Sequence, residues 1–138
     1  MNKLTLRFVR ASLVYFIIGM ILGMYLVFWP KWPGVMRVVH VHVNLFGWVA
    51  MLIYAAGYTL LPRLVDKPLF SQRLAEFQYY LSNGALVAMI VFWITVAFQS
   101  PGTLAYAFSY AMFSISTILA ALGGILFVYN LLMTMRDG

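Results

Sequence analysis

Charge is missing from most of this chain, and the gaps are long. Ala11–Trp29 is 19 residues without Lys, Arg, Asp or Glu, Val38–Pro62 is 25, and no such residue lies between Glu76 and Arg136. At about 1.5 Å per helical residue, roughly 20 apolar residues cross a bilayer core of about 30 Å. Backbone in lipid has no water to bond, so a span must be a helix or part of a closed barrel. The apolar lengths suit helices, expected at about 8–29, 35–61, 74–98 and 103–135. Three breakers separate them: Pro30-Lys-Trp-Pro-Gly34, the charged segment Pro62–Arg73, and Gln99-Ser-Pro-Gly102. The expectation is an all-α, integral membrane four-helix bundle, with residues 1–138 as one transmembrane domain in a lipid bilayer.

Composition narrows the chemistry. Of 138 residues, 64% are hydrophobic and 9% charged, and mean hydropathy is +0.94, a membrane composition. Cysteine is absent, which excludes disulfides, thiolate metal sites, iron–sulfur clusters and covalent c-type haem attachment. The net charge of +6 does not argue for nucleic acid as a partner, because the positive residues flank apolar spans as topology signals do. Lys3, Arg7 and Arg10 resemble a signal-peptide n-region. The apolar stretch behind them is too long for an h-region and lacks a small-x-small cleavage site, so it reads as a retained helix.

The basic residues orient the bundle. With the N-terminus inside, Lys3, Arg7, Arg10, Arg63, Lys67, Arg73 and Arg136 are internal, and only Lys31 and Arg37 are external. Both termini are then cytoplasmic, in a bacterial-type inner membrane, and the second helix runs from outside to inside. Trp29 and Trp32 read as anchors at the outer boundary. Gly19-Met-Ile-Leu-Gly23, Ser82-Asn83-Gly84-Ala85 and Ala120-Ala121-Leu-Gly123-Gly124 are small-residue patterns that permit close helix approach.

The only two histidines, His40 and His42, head the second helix, and imidazole is the commonest metal ligand. On a regular helix, residues two apart differ by about 200°, so the pair cannot share one ion. The face of His40 continues as Asn44, Gly47, Met51, Ala55 and Tyr58, which are polar, small or aromatic. That of His42 continues as Leu45, Phe46, Val49, Leu52, Ile53 and Ala56, which suit lipid. Polar and small residues in a span turn toward protein. His40 is therefore the better inward ligand, and Gly47, two turns below it, offers room for the edge of a planar macrocycle. His42 either reaches the interface, donates a hydrogen bond or faces a second protomer. The plain alternative for each is an interfacial residue bonded to a carbonyl or to water.

The run His40-x-His42-x-Asn44-x-x-Gly47-Trp48, ending in Gly57-Tyr-Thr-Leu-Leu-Pro62-Arg63, resembles the second helix of haem–copper oxidase subunit I. That is the family of cytochrome oxidases and nitric oxide reductases, and the likeness is closer still to short stand-alone proteins related to that subunit. The ending Gly123-Gly-Ile-Leu-Phe127-Val-Tyr-Asn130-Leu-Leu-Met-Thr134 is similar to that of an early helix of the same subunit. The resemblance implies an axial histidine to a low-spin haem near the outer face, the depth that charge alone assigns to His40 and His42. It also marks departures. The family's second axial histidine lies on a later helix, and its copper site needs histidines this chain lacks. Two histidines cannot build a binuclear centre, so one chain is not a haem–copper reductase on its own. Proton channels built on acidic residues are not expected either, since no Asp or Glu sits inside a span.

The leading expectation is a small membrane protein binding haem b near the outer face. His40 or His42 would be the iron ligand, Asn44, Gly47 and Met51 would line the site, and the role would be electron transport in a respiratory chain or binding of a diatomic gas. The sixth ligand would come from a second copy in a homodimer, from Met20, Met24, Met51 or Met112, from a larger complex, or from nowhere, leaving an open position. The alternative is a haem-free membrane subunit or assembly factor of a respiratory complex. A transporter finds little support, for no charge lines a span and no paired broken helices occur. Reporter fusions at Asp137 and near Pro101 should signal from the cytoplasm and the outer side respectively. The reverse pattern would overturn the outer placement of the histidines.

Overall fold

A computed structural model describes residues 3–29 and 34–136. It has four long helices: α1, Lys3–Phe28; α2, Gly34–Leu64; α3, Gln72–Ala97; and α4, Leu104–Met135. All four are long and apolar enough to cross a membrane, and no strand occurs among the described residues. The expected turn Pro30–Pro33, with Lys31 and Trp32, lies outside the described residues.

The helix ends differ from the sequence expectation for local reasons. The N-terminal turns of α1 are polar enough to leave the apolar span, yet Leu4 and Phe8 are buried there, so the helix starts at Lys3. Pro62 lacks an N–H, yet α2 runs past it to Leu64. The lost bond is one of the last in the ladder, and Val65 N–H and Lys67 N–H close the end on the carbonyls of Leu61 and Pro62 at 3.1 and 3.0 Å. Asp66 then turns the chain at a φ of 50°, a conformation that Asp tolerates better than most residues. Ser71 caps α3 by accepting from Leu74 N–H at 3.1 Å, and Thr103 caps α4 by accepting from Tyr106 N–H at 3.2 Å.

The helices run up and down, and their ends are tied at the basic end of the bundle. Thr5 and Thr59 share a hydrogen bond of 3.0 Å between α1 and α2. Asn130 of α4 grips the backbone of Ser71 from both sides: its Oδ1 accepts from Ser71 N–H at 3.0 Å, and its Nδ2 donates to Ser71 C=O at 2.9 Å. Thr134 accepts from Phe70 N–H at 3.0 Å. The Asn and Thr of the α4 ending therefore dock the α2–α3 loop.

The core fills the half nearest this end. Phe8 is fully buried, with Tyr54, Tyr58 and Tyr79 around it at ring separations of 5.9, 5.8 and 5.0 Å. Side chains such as Val27, Phe28, Leu104 and Ile118 stand outward, as lipid requires. α3 and α4 pack closely where Gly123 meets Ser82.

One departure in α2 decides which of its residues face inward. Between Val43 and Ala50 the helix widens into a π-helical stretch. From Val39 to Ala55 its buried residues, Val39, Val43, Gly47, Met51 and Ala55, recur every fourth position, and Tyr58 follows three residues later in the regular α-helical part. On an ideal α-helix that spacing drifts by about 40° per step. The wider π turns take up the drift, so the stripe stays on one face. Such a stretch is rare and is often found at functional sites.

Glycines in this fold are not equivalent. A Cβ on Gly47 would come within 2.5 Å of Tyr15 Cγ, whereas one on Gly84 would meet nothing within 4 Å. Gly47→Ala should therefore destabilise the protein by roughly 1–3 kcal/mol. Gly84→Ala should be neutral or stabilising by up to about 1 kcal/mol. Unfolding in detergent followed by circular dichroism measures both, and equal effects would contradict the packing described.

Candidate cofactor groove

Both histidines lie in the turns before the π stretch and leave α2 toward different helices. His40 turns to α1. Its Nδ1 lies 3.0 Å from the carbonyl oxygen of Gly19, which can only accept. Nδ1 is therefore the donor, and in the neutral ring that tautomer leaves the lone pair on Nε2. The Asn44 amide, 3.3 Å from the same Nδ1, donates instead to the His40 carbonyl at 2.8 Å.

Two glycines of α1 make room for these groups. A Cβ on Gly19 would fall 2.6 Å from the Asn44 side chain, and one on Gly23 would fall 3.1 Å from His40 Cε1. The Gly19-x-x-x-Gly23 pattern is thus a notch that seats Asn44 and His40, one per glycine. Beside the notch a groove of about 450 Å³ opens between α1 and α2, lined by His40, Asn44, Trp48, Phe16, Met20 and Met24. The rings of Phe16 and Trp48 pack 4.3 Å apart along it. Its size falls within the roughly 300–1,000 Å³ of ligand pockets. Among the described residues, His40 Nε2 has no hydrogen-bond partner.

His42 belongs to other surroundings. Its Nδ1 donates to the Val38 carbonyl at 2.9 Å, its ring stacks on Phe46 at 5.5 Å, and the edge of Trp93 on α3 meets it at 5.0 Å. His40 and His42 therefore address different neighbours.

The remaining expected site residues divide. Asn44 shares the groove with His40. Gly47 does not open onto a free space, because the Tyr15 ring occupies the position next to it; its smallness serves helix packing. Met51 is buried in the core, with the Asn83 amide 3.7 Å from its sulfur. Of the methionines considered as ligands, Met20 and Met24 line the groove with His40, while Met51 and Met112 do not. Sequence reasoning missed Phe16, Gly19, Gly23 and Trp48 as groove residues. The glycine pair was visible as a packing motif, but nothing in the sequence said which residues it would seat.

A larger groove of about 600 Å³ runs between α2 and α4, walled by Tyr54, Ala121, Gly124 and Phe127. It contains no histidine, so it is not the metal candidate. Among the described residues, no three His, Cys, Asp or Glu side chains come together as a metal cage.

The family described as Cytochrome C and Quinol oxidase polypeptide I matches residues 3–137. A relative from Agrobacterium tumefaciens (strain T37), described as Cytochrome c oxidase subunit 1 homolog, is 29% identical over 114 residues. The alignment covers 69% of this chain and 21% of the relative, so the chain spans about a fifth of that protein's length. No solved structure matches the chain.

Proposed function

Since the chain belongs to the Cytochrome C and Quinol oxidase polypeptide I family, we propose that it is a short, membrane-embedded relative of the oxidase subunit that binds haem b through His40. The observation that carries this reading is the state of His40. Its Nδ1–H is engaged by the Gly19 carbonyl, so Nε2 is the basic nitrogen beside a groove of cofactor size. A bond of that kind fixes the ring orientation and raises ligand basicity. A lone imidazole, with no cage of other protein ligands, suits an iron that brings its own four ring nitrogens and asks the protein only for axial ligands. When bound, the haem would supply one-electron chemistry or a position for a diatomic gas. Around it, Phe16 and Trp48 would wall the groove, and Asn44 would hold the His40 carbonyl. Gly47 and Met51 would act from behind, setting the helix packing.

The reading places the chain in a bacterial-type inner membrane, with cytoplasmic termini and the groove near the outer face, as the asymmetry of Lys and Arg favours. In a homodimer, His40 of a second copy would also hold the group, because each chain offers one groove histidine and the groove opens on the outside of the bundle. Met20 and Met24, which line the same groove, support a second reading, with His/Met ligation inside one chain.

Absorption spectra of the purified protein, oxidised and dithionite-reduced, test the proposal. Sharp α and β bands on reduction are expected. Absence of a Soret band even after haem supplementation would refute haem binding. His40→Ala should abolish haem retention, whereas His42→Ala should keep most of it; the reverse would reassign the ligand to His42. Haem measured as the pyridine haemochrome should amount to half a haem per chain for the shared site. One low-spin haem per chain, lost on replacing Met20 or Met24 by Leu, would establish the His/Met alternative.

A further inference from the structure

At the opposite end of the bundle from His40, α1 and α3 leave a second polar groove, of about 320 Å³. It is lined by Arg10, Tyr15, Tyr79 and Asn83, with Ala11 and Val14 continuing it along α1. Arg10 is the last charged residue of α1 before the charge-free Ala11–Trp29. It stands where apolar span meets headgroups. An arginine there turns its head toward the interface, and among the described residues Arg10 is exposed and pairs with no carboxylate.

Tyr15 and Tyr79 line the same groove, and among the described residues neither hydroxyl makes a hydrogen bond. The amide of Asn83 is already turned to the Tyr79 carbonyl at 2.8 Å. A guanidinium and two phenols thus border one groove at the membrane edge without protein acceptors. Unsatisfied donors are costly there. Arg7 follows on the same face of α1, three residues before Arg10, and bonds Tyr80 on α3 at 3.5 Å, which keeps the helices bridged below the groove.

We propose that this groove binds the phosphodiester of an anionic phospholipid. Arg10 meets the phosphate oxygens as a two-pronged donor, and the Tyr79 hydroxyl adds a further donor. Val14 and the exposed Ile17 and Ile18 above it carry an acyl chain. The preference for an anionic over a zwitterionic lipid follows from the lining, which has a cation and no carboxylate to pair with a headgroup amine. Basic pockets between helices at a membrane face recognise lipid headgroups in this way.

The test uses the full chain, delipidated in a neutral detergent and titrated with phosphatidylglycerol, phosphatidylcholine or inorganic phosphate, with bound lipid counted by native mass spectrometry. One tightly held phosphatidylglycerol per chain is expected, with phosphatidylcholine weaker and inorganic phosphate not competing. Arg10→Gln should weaken phosphatidylglycerol binding roughly five- to tenfold, the size of one lost charge-assisted contact. Arg10→Lys should restore part of it, and Tyr79→Phe should weaken it less than Arg10→Gln. Arg37→Gln, at the other end of the bundle, should change nothing. Circular dichroism of each variant separates lost binding from lost folding, and the Tyr79→Phe and Arg10→Lys pair carries the test if Arg10→Gln is unfolded. Equal binding by wild type and folded Arg10→Gln, equal affinity for the two lipids, or displacement by inorganic phosphate would each overturn the proposal.

Discussion

The close approach of α1 and α2 is the contact on which the rest of the molecule depends. Membrane helices gain little from burying apolar surface against each other, because lipid is equally apolar. They associate where backbones can come near and where polar groups find partners. Gly19 and Gly23 on α1 and Gly47 on α2 supply the nearness, and Asn44, His40 and Tyr15 fill the notches they leave. The same approach brings the Gly19 carbonyl to the His40 ring. Packing and the tautomer of the candidate ligand are therefore one arrangement: a side chain at either α1 glycine would displace the groups that define the groove.

Polar contacts do the same work at the basic end. Asn130, Thr134 and Thr5 bond across helices or to loop backbone. Buried Gln78 links Tyr58 to Ser82 at 3.4 and 3.0 Å. In hydrocarbon these groups would otherwise be left unpaired, so they select one pairing of helices and one loop position. The half of the bundle that holds the core is thus tightly specified. The half that holds His40 and His42 is open between α1 and α2, where the groove beside His40 lies.

The chain belongs to an oxidase-subunit family and spans about a fifth of the length of the relative it matches. Its second helix carries both histidines near one end. The two rings diverge, His40 to α1 and His42 to Trp93 of α3. A divergent pair cannot clamp one iron, so on the proposed haem reading any second protein ligand would come from a methionine in the groove or from another chain.

The four spans, the class of fold, the grouping of basic residues at one end and the lower part of the inward stripe of α2, Gly47, Met51, Ala55 and Tyr58, were legible in the sequence; above Gly47 the buried positions are Val39 and Val43 rather than the expected His40 and Asn44. The legible features depend on the length and period of apolar runs, which are properties of one segment at a time. The separation of His40 from His42 was legible for the same reason, since it follows from helical geometry over two residues. Tertiary structure alone decided the rest. The π stretch arises where an every-fourth buried stripe must stay against neighbouring helices, and no residue in Val43–Ala50 announces it. That Tyr15 fills the space at Gly47, that Met51 sits in the core beside Asn83, and that Met20 and Met24 share a groove with His40 are facts about gaps between helices. So is the meeting of Arg10, Tyr15 and Tyr79 along one groove. A gap belongs to two surfaces at once, and the sequence of either one does not contain it.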